Sequence, residues 1–148
     1  MTYLHKTGGF SAFGENSYGK DNASTLLTSF VIKCFRAANS MLDKKAIDDQ
    51  VIADNMNWLA QKYEVKGSFF REDGKVFSSY LMGAITKNGP ITSSAYVLIS
   101  LVENGIEPEQ KNMVESAMNM LSSNLDRVED ALTLSMITYV LTKGQCDQ

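Results

Sequence analysis

Histidine occurs once in this sequence, as His5, and cysteine twice, as Cys34 and Cys146. A zinc centre takes three or four Cys, His or acidic ligands, so this inventory argues against one, and no metal or other cofactor is expected. Proline occurs only at Pro90 and Pro108, which leaves long helices permitted. Basic charge is also short, with 14 Lys and Arg against 17 Asp and Glu and a net charge of -3. No basic stripe is available to neutralise phosphates, which argues against a nucleic-acid partner. No apolar run reaches the roughly 18 residues of a membrane span. Residues 1–20 hold glycines and polar groups without an apolar stretch, so they do not read as a signal peptide. No glycine loop matches a nucleotide-binding fingerprint, because Gly8-Gly9 lacks a preceding strand.

What is present is helical pattern. Apolar residues make up 44% of the 148 positions, enough for one domain with a real core. Three segments, Ser24 to Asn39, Ile91 to Glu103 and Ala131 to Thr142, are apolar on most sides and must be buried on most sides. Two others are one-sided. Lys45 to Tyr63 aligns Ile52, Met56, Leu59 and Tyr63, and Glu109 to Leu125 aligns Val114, Ala117, Leu121 and Leu125, with acids, lysines and amides elsewhere. The order buried, amphipathic, buried, amphipathic, buried predicts an all-α fold, a partial α/α toroid in which inner helices alternate with outer ones. Phe30, Val97 and Ile137 are expected to be buried, and Asp49 and Glu115 exposed.

Punctuation agrees with five helices. Ser24 or Thr25 can cap the first, Asp43 precedes the second, and Pro90 suits the first turn of the third. Gly105 and Gly144 sit where a C-cap glycine would end the third and fifth. A weak internal repeat pairs Phe30-Val31-Ile32 with Tyr96-Val97-Leu98, and Leu101 to Gly105 with Val140 to Gly144. Two loops, Gly8 to Gly14 and Gly67 to Phe70, place glycine within two positions before an aromatic, which predicts a positive-φ turn and an inward aromatic plug.

Candidate chemistry is thin. His5 lies beside Lys6 and reads as a solvated or turn histidine. The cysteines can pair, but Cys34 falls in an apolar helical pattern and Cys146 near a polar terminus, which reads as one buried and one exposed thiol. Asp48-Asp49 reads as the solvated face of an outer helix and Glu72-Asp73 as a turn before Gly74; paired carboxylates of a glycosidase are the sharper alternative for both. Asn22-Ala23-Ser24 is the one glycosylation sequon, and its residues can equally serve helix capping.

The stretch from Gly8 to Phe35, GGFSAFGENSYGKDNASTLLTSFVIKCF, resembles a signature of the thioester domain in α2-macroglobulin and complement proteins. Ser11, Phe13 and Gly14 match its first half. Ser24, Thr25, Leu27, Thr28, Phe30, Val31, Lys33 and Phe35 match its second, across a variable polar loop. Trp58-Leu59 with Lys66 to Phe69, and Ser94 to Leu101, resemble two further blocks in the same order. Insect thioester-containing proteins are the members it resembles most.

The resemblance implies a secreted, extracellular parent protein that traps proteases or opsonises microbial surfaces, through an internal thioester between a Cys and a Gln in a Gly-Cys-Gly-Glu-Gln motif. Its partners would be proteases, microbial surfaces and other domains of the parent chain. That motif is absent from residues 1–148 and in the family precedes the stretch matched at Gly8, so Cys34 is not the thioester cysteine. Residues 1–148 are expected to form a partial thioester domain without the thioester or ring closure, and not an enzyme. The family has Trp where Leu26 stands, which implies looser packing there. The histidine that assists transfer in complement-type members corresponds to Ser78, within Val76 to Ala84. A serine lacks imidazole's base and nucleophile. The alternative is an enzyme on the same architecture, a prenyltransferase or terpene cyclase subunit, which would need a zinc set or aspartate-rich motif.

Overall fold

The computed structural model describes residues 3–14 and 22–146; the variable polar loop inferred above falls largely on residues 15–21, outside the described residues. Six helices dominate: α1 (Thr25–Met41), α2 (Asp49–Ala60), α3 (Ser79–Asn88), α4 (Pro90–Asn104), α5 (Lys111–Ser123) and α6 (Ala131–Cys146). The only strands among the described residues are β1 (Tyr63–Glu64) and β2 (Phe69–Phe70), paired antiparallel with Tyr63 opposite Phe70. The fold is all-α, as the pattern predicts.

α1, α4 and α6 form the inner set. α4 packs between the other two, α2 covers α1, and α5 bridges α4 and α6. One continuous core joins Leu26 and Ile32, Ile52 and Leu59, Val97 and Leu101, Val114 and Leu121, and Ile137 and Val140. Val97 and Ile137 are fully buried, and Asp49 and Glu115 are exposed.

The inner helices are not equally enclosed. α4 has neighbours on both flanks and is buried over nearly its whole length. α1 has α4 on one flank only, so Phe30 is 48% exposed, against the expectation, and Cys34 is an exposed free thiol rather than a buried one. α6 likewise leaves Leu132 and Tyr139 open. The side chain of Cys146 lies outside the described residues.

Hydroxyl groups at the starts of the inner helices hold the incoming segments. The Thr28 hydroxyl accepts from the Phe10 amide at 2.8 Å, and Thr25 donates to the Arg71 carbonyl at 2.6 Å. On α4, Ser94 accepts from the Phe70 amide at 2.8 Å while Ser93 donates to its carbonyl at 3.1 Å. Thr92 and Thr133 join α4 to α6 at 2.9 Å. Each bond satisfies a backbone or side-chain group that burial would otherwise strand. Ser94→Ala is therefore expected to destabilise the fold by about 2 kcal/mol, because it leaves the Phe70 amide buried and unpaired; urea denaturation checks this.

Several boundaries move from their predicted places. Ser24 caps α1 and Pro90 opens α4 as expected. α2 starts at Asp49 behind an Asp48 cap, because Asn39 at the end of α1 ties down the connection through the Ala46 and Ile47 amides and the Ile47 carbonyl. Gly105 ends α4 at φ 84°, but Gly144 lies inside α6, where its missing Cβ makes room for Met118 of α5. In the second glycine–aromatic loop the positive φ falls on Ser68, not Gly67, while Phe70 is the buried plug. In the first, Gly8 and Gly9 both have positive φ, and a Cβ on Gly9 would lie 2.6 Å from the Trp58 ring. α3 has no counterpart among the five helices expected from periodicity.

Candidate functional site

The N-terminal end of α1 is where the matched motifs converge. A helix begins with unpaired backbone donors and a positive dipole end. Here Ser24 accepts from the Leu27 amide at 3.1 Å, and the remaining donors are met by Glu72, far along the chain. One Glu72 oxygen accepts from the Thr25 amide at 3.1 Å and the Gly74 amide at 2.6 Å. The other accepts from the Leu26 amide at 2.8 Å and the Ser24 hydroxyl at 3.0 Å. Glu72 is thus neither a mere turn residue nor one of a catalytic pair; it latches residues 71–74 onto α1.

Asp73 points elsewhere. Arg71 reaches it at 2.7 Å and Lys62 at 2.9 Å, while Arg71 also holds Glu64 at 2.7 Å. Partial burial pushes the Asp73 carboxyl up, but hydrogen bonds and charge from Arg71 and Lys62 outweigh it and hold the group below its ordinary value. Lys62 also lies 4.7 Å from the centre of the Trp58 ring. The strap 71–74 is fixed from both sides.

From this strap the chain runs to Ser78, which caps α3: its hydroxyl accepts from the Leu81 amide at 3.3 Å, and the residue is exposed. The short helix behind it turns Leu81, Ala84 and Ile85 toward the core. Between residues 75–81 and α1 lies an open groove of about 400 Å³, whose lining includes Leu26, Phe30, Phe77, Ser78 and Leu81. Leu26 itself is 4% exposed. Phe77 meets Phe13 edge to face at 5.2 Å between ring centres, and both are exposed. Phe13, Phe30 and Ser78 thus border one surface although they come from three separate stretches.

Farther down the inner helices, Lys33 of α1 pairs with Glu103 of α4, which accepts at 2.7 Å from the Tyr139 hydroxyl of α6. Burial alone would raise the Glu103 carboxyl, yet Lys33 and Tyr139 bring it below its ordinary value. The motif lysine is therefore a tie across all three inner helices.

The other candidates sit apart. His5 is in a turn, but buried rather than solvated, with Nε2 2.7 Å from the Ser11 hydroxyl. Asn22 is exposed, and its amide donates to the Asp73 carbonyl at 3.3 Å. Asp48 caps α2, and Asp49 pairs with Lys45. Among the described residues no group of three His, Cys, Asp or Glu side chains is placed to hold a metal ion, and no helix is long and apolar enough to cross a membrane.

The family model of the A-macroglobulin TED domain, the thioester domain, matches residues 1–147. The chain belongs to that family. The six-helix, all-α architecture is consistent with that family. The chain is also similar to thioester-containing protein 1 allele S3 of Anopheles gambiae, 30% identical over 142 residues, which cover 95% of this chain and 10% of that relative. It spans about a tenth of that protein's length.

Proposed function

We propose that residues 1–148 act as part of the thioester domain of a secreted protein of the macroglobulin and complement type, which captures proteases or marks microbial surfaces covalently. The observation that carries this reading is the family match over residues 1–147, and the matched relative is by name thioester-containing. The reacting Cys and Gln are not in this chain, whose own contribution is a scaffold: Glu72 and the strap position Ser78 and the aromatic groove at one end of the inner helices. In this reading Ser78 stands where complement-type members carry the assisting histidine. An amine then attacks the thioester carbonyl directly, the C–S bond breaks, and the Cys thiol is released. We further propose that Asn22 carries an N-linked glycan, added before folding, because Ser24 of the sequon is committed to Glu72 in the folded chain while Asn22 remains exposed.

Mass spectrometry of the secreted parent protein tests both. The expected result is one methylamine adduct with release of one thiol, and a glycan on the peptide containing Asn22. The 148-residue chain alone should add no methylamine. An adduct on the isolated chain, or none on the parent, would contradict the reading.

A further inference from the structure

A polar pocket of about 320 Å³ opens beside the strap, lined by His5, Thr7, Asn22, Trp58, Lys62 and Asp73. It joins the N-terminal turn, the residues just before α1, the end of α2 and the strap itself. Small-ligand pockets run from roughly 300 to 1,000 Å³, so this one takes a single ring rather than a chain of them. Trp58 is buried, with the Lys62 ammonium 4.7 Å from its ring centre, and the other five groups are polar.

Two observations bear on what would fill it. The first is hydrogen-bonding capacity left over around the pocket. Asp73 takes one of the three ammonium donors of Lys62, at 2.9 Å. Buried His5 bonds Ser11 through Nε2, and its second ring nitrogen has no partner among the described residues. The second is Asn22, which belongs to the pocket wall and reaches across to the Asp73 carbonyl at 3.3 Å. Asn22-Ala23-Ser24 is the one sequon of the chain, so a sugar attached to the Asn22 amide nitrogen would begin at the pocket itself.

We propose that this pocket seats the first N-acetylglucosamine of a glycan on Asn22, and that the seated sugar staples the N-terminal turn to the strap. The inference rests on the glycosylation proposed above. A lipid-diphosphate-linked oligosaccharide supplies the glycan: the sugar C1 bonds to Asn22 Nδ2, the amide gives up one proton and the lipid diphosphate leaves. The N–H that remains can still donate to the Asp73 carbonyl. Sugar hydroxyls suit the Asp73 carboxylate and the Thr7 hydroxyl, and the acetamido carbonyl suits a Lys62 donor. The covalent tether holds the ring at high effective concentration, so few contacts are needed to seat it. Residues 71–74, already latched to α1 by Glu72, thereby gain a second tie.

The test uses the parent protein secreted from cells that make only high-mannose glycans. Peptide N-glycosidase cuts between Asn22 and the first sugar, whereas endoglycosidase H cuts beyond it and leaves one N-acetylglucosamine. Thr7→Trp, at an exposed position, should fill the pocket and leave the sequon intact. Native wild type should lose the Asn22 glycan to the first enzyme about tenfold more slowly than native Thr7→Trp, and both should be trimmed equally by the second. In the trimmed proteins, hydrogen exchange at residues 71–74 should be about tenfold slower in wild type, the factor that one or two net hydrogen bonds supply. Thr7→Leu, a smaller block, should move both readouts in the same direction by less. Equal release from the native proteins, or equal exchange at residues 71–74, would overturn the seat even with the glycan in place. An unmodified Asn22 peptide in denatured wild type would overturn the glycosylation itself, and the seat with it.

Discussion

Replacing Glu72 with alanine is expected to cost about 4 kcal/mol of folding stability, a large share of what a domain of this size has. The carboxylate accepts three backbone amides and one hydroxyl. Hydrogen bonds to a charged acceptor contribute roughly 1.5–3 kcal/mol each, and they are not additive, since one side chain makes them all. Alanine would leave the Thr25 and Leu26 amides at the positive end of α1 with no protein acceptor, and Thr25 and Leu26 are buried. Glu72→Gln separates charge from geometry. Its carbonyl oxygen can keep one side of the latch, but its NH₂ faces donors on the other, so a loss of about 2 kcal/mol is expected. Urea denaturation measures both, and hydrogen exchange should place the earliest opening at residues 24–28 and 71–74. If Glu72→Ala unfolds no more easily than wild type, the latch contributes nothing and Ser24 alone caps α1.

Glu72 also marks the limit of what the sequence discloses. Its partners at the start of α1 lie 46 to 48 positions away, and no local pattern in Arg71-Glu72-Asp73-Gly74 points to them; a turn is all that spacing supports. The legible features are those set by periodicity or by local caps. Val97, Ile137, Asp49 and Glu115 fall where the helical pattern puts them, and Ser24, Pro90 and Gly105 punctuate as their chemistry requires. Phe30 and Cys34 depart from the expectation because an apolar helix need not have neighbours on every side, and α1 is flanked by α4 on one side only. α3 carries only a short signal: a Ser78 cap followed by Leu81, Ala84 and Ile85 at helical spacing. Its ten residues and the interior Gly83 keep that pattern short.

Ser78→His in the full-length parent is the substitution with the largest expected effect. If Ser78 stands at the position of the family's assisting histidine, the exchange supplies a group able to take the acyl chain from the thioester and to act afterwards with the released thiol on a hydroxyl. General acid–base help alone is worth roughly 10²–10⁴-fold. Glycerol incorporation should therefore rise by about that factor, while methylamine incorporation, which needs no such help, changes far less. The gain should grow as pH rises through about 6.5, where imidazole loses its proton and becomes a nucleophile. A structural side effect has to be separated from this chemistry. Ser78 caps α3 through the Leu81 amide, and loss of an N-cap costs about 1 kcal/mol. Ser78→Ala carries the same loss without an imidazole, so it should lower stability as much and leave the glycerol to methylamine ratio unchanged. The exposure of Ser78 at the edge of the aromatic groove leaves room for the larger ring. A wild-type parent that already prefers glycerol, or a ratio that Ser78→His does not move, would show that residues 76–84 do not occupy the histidine segment.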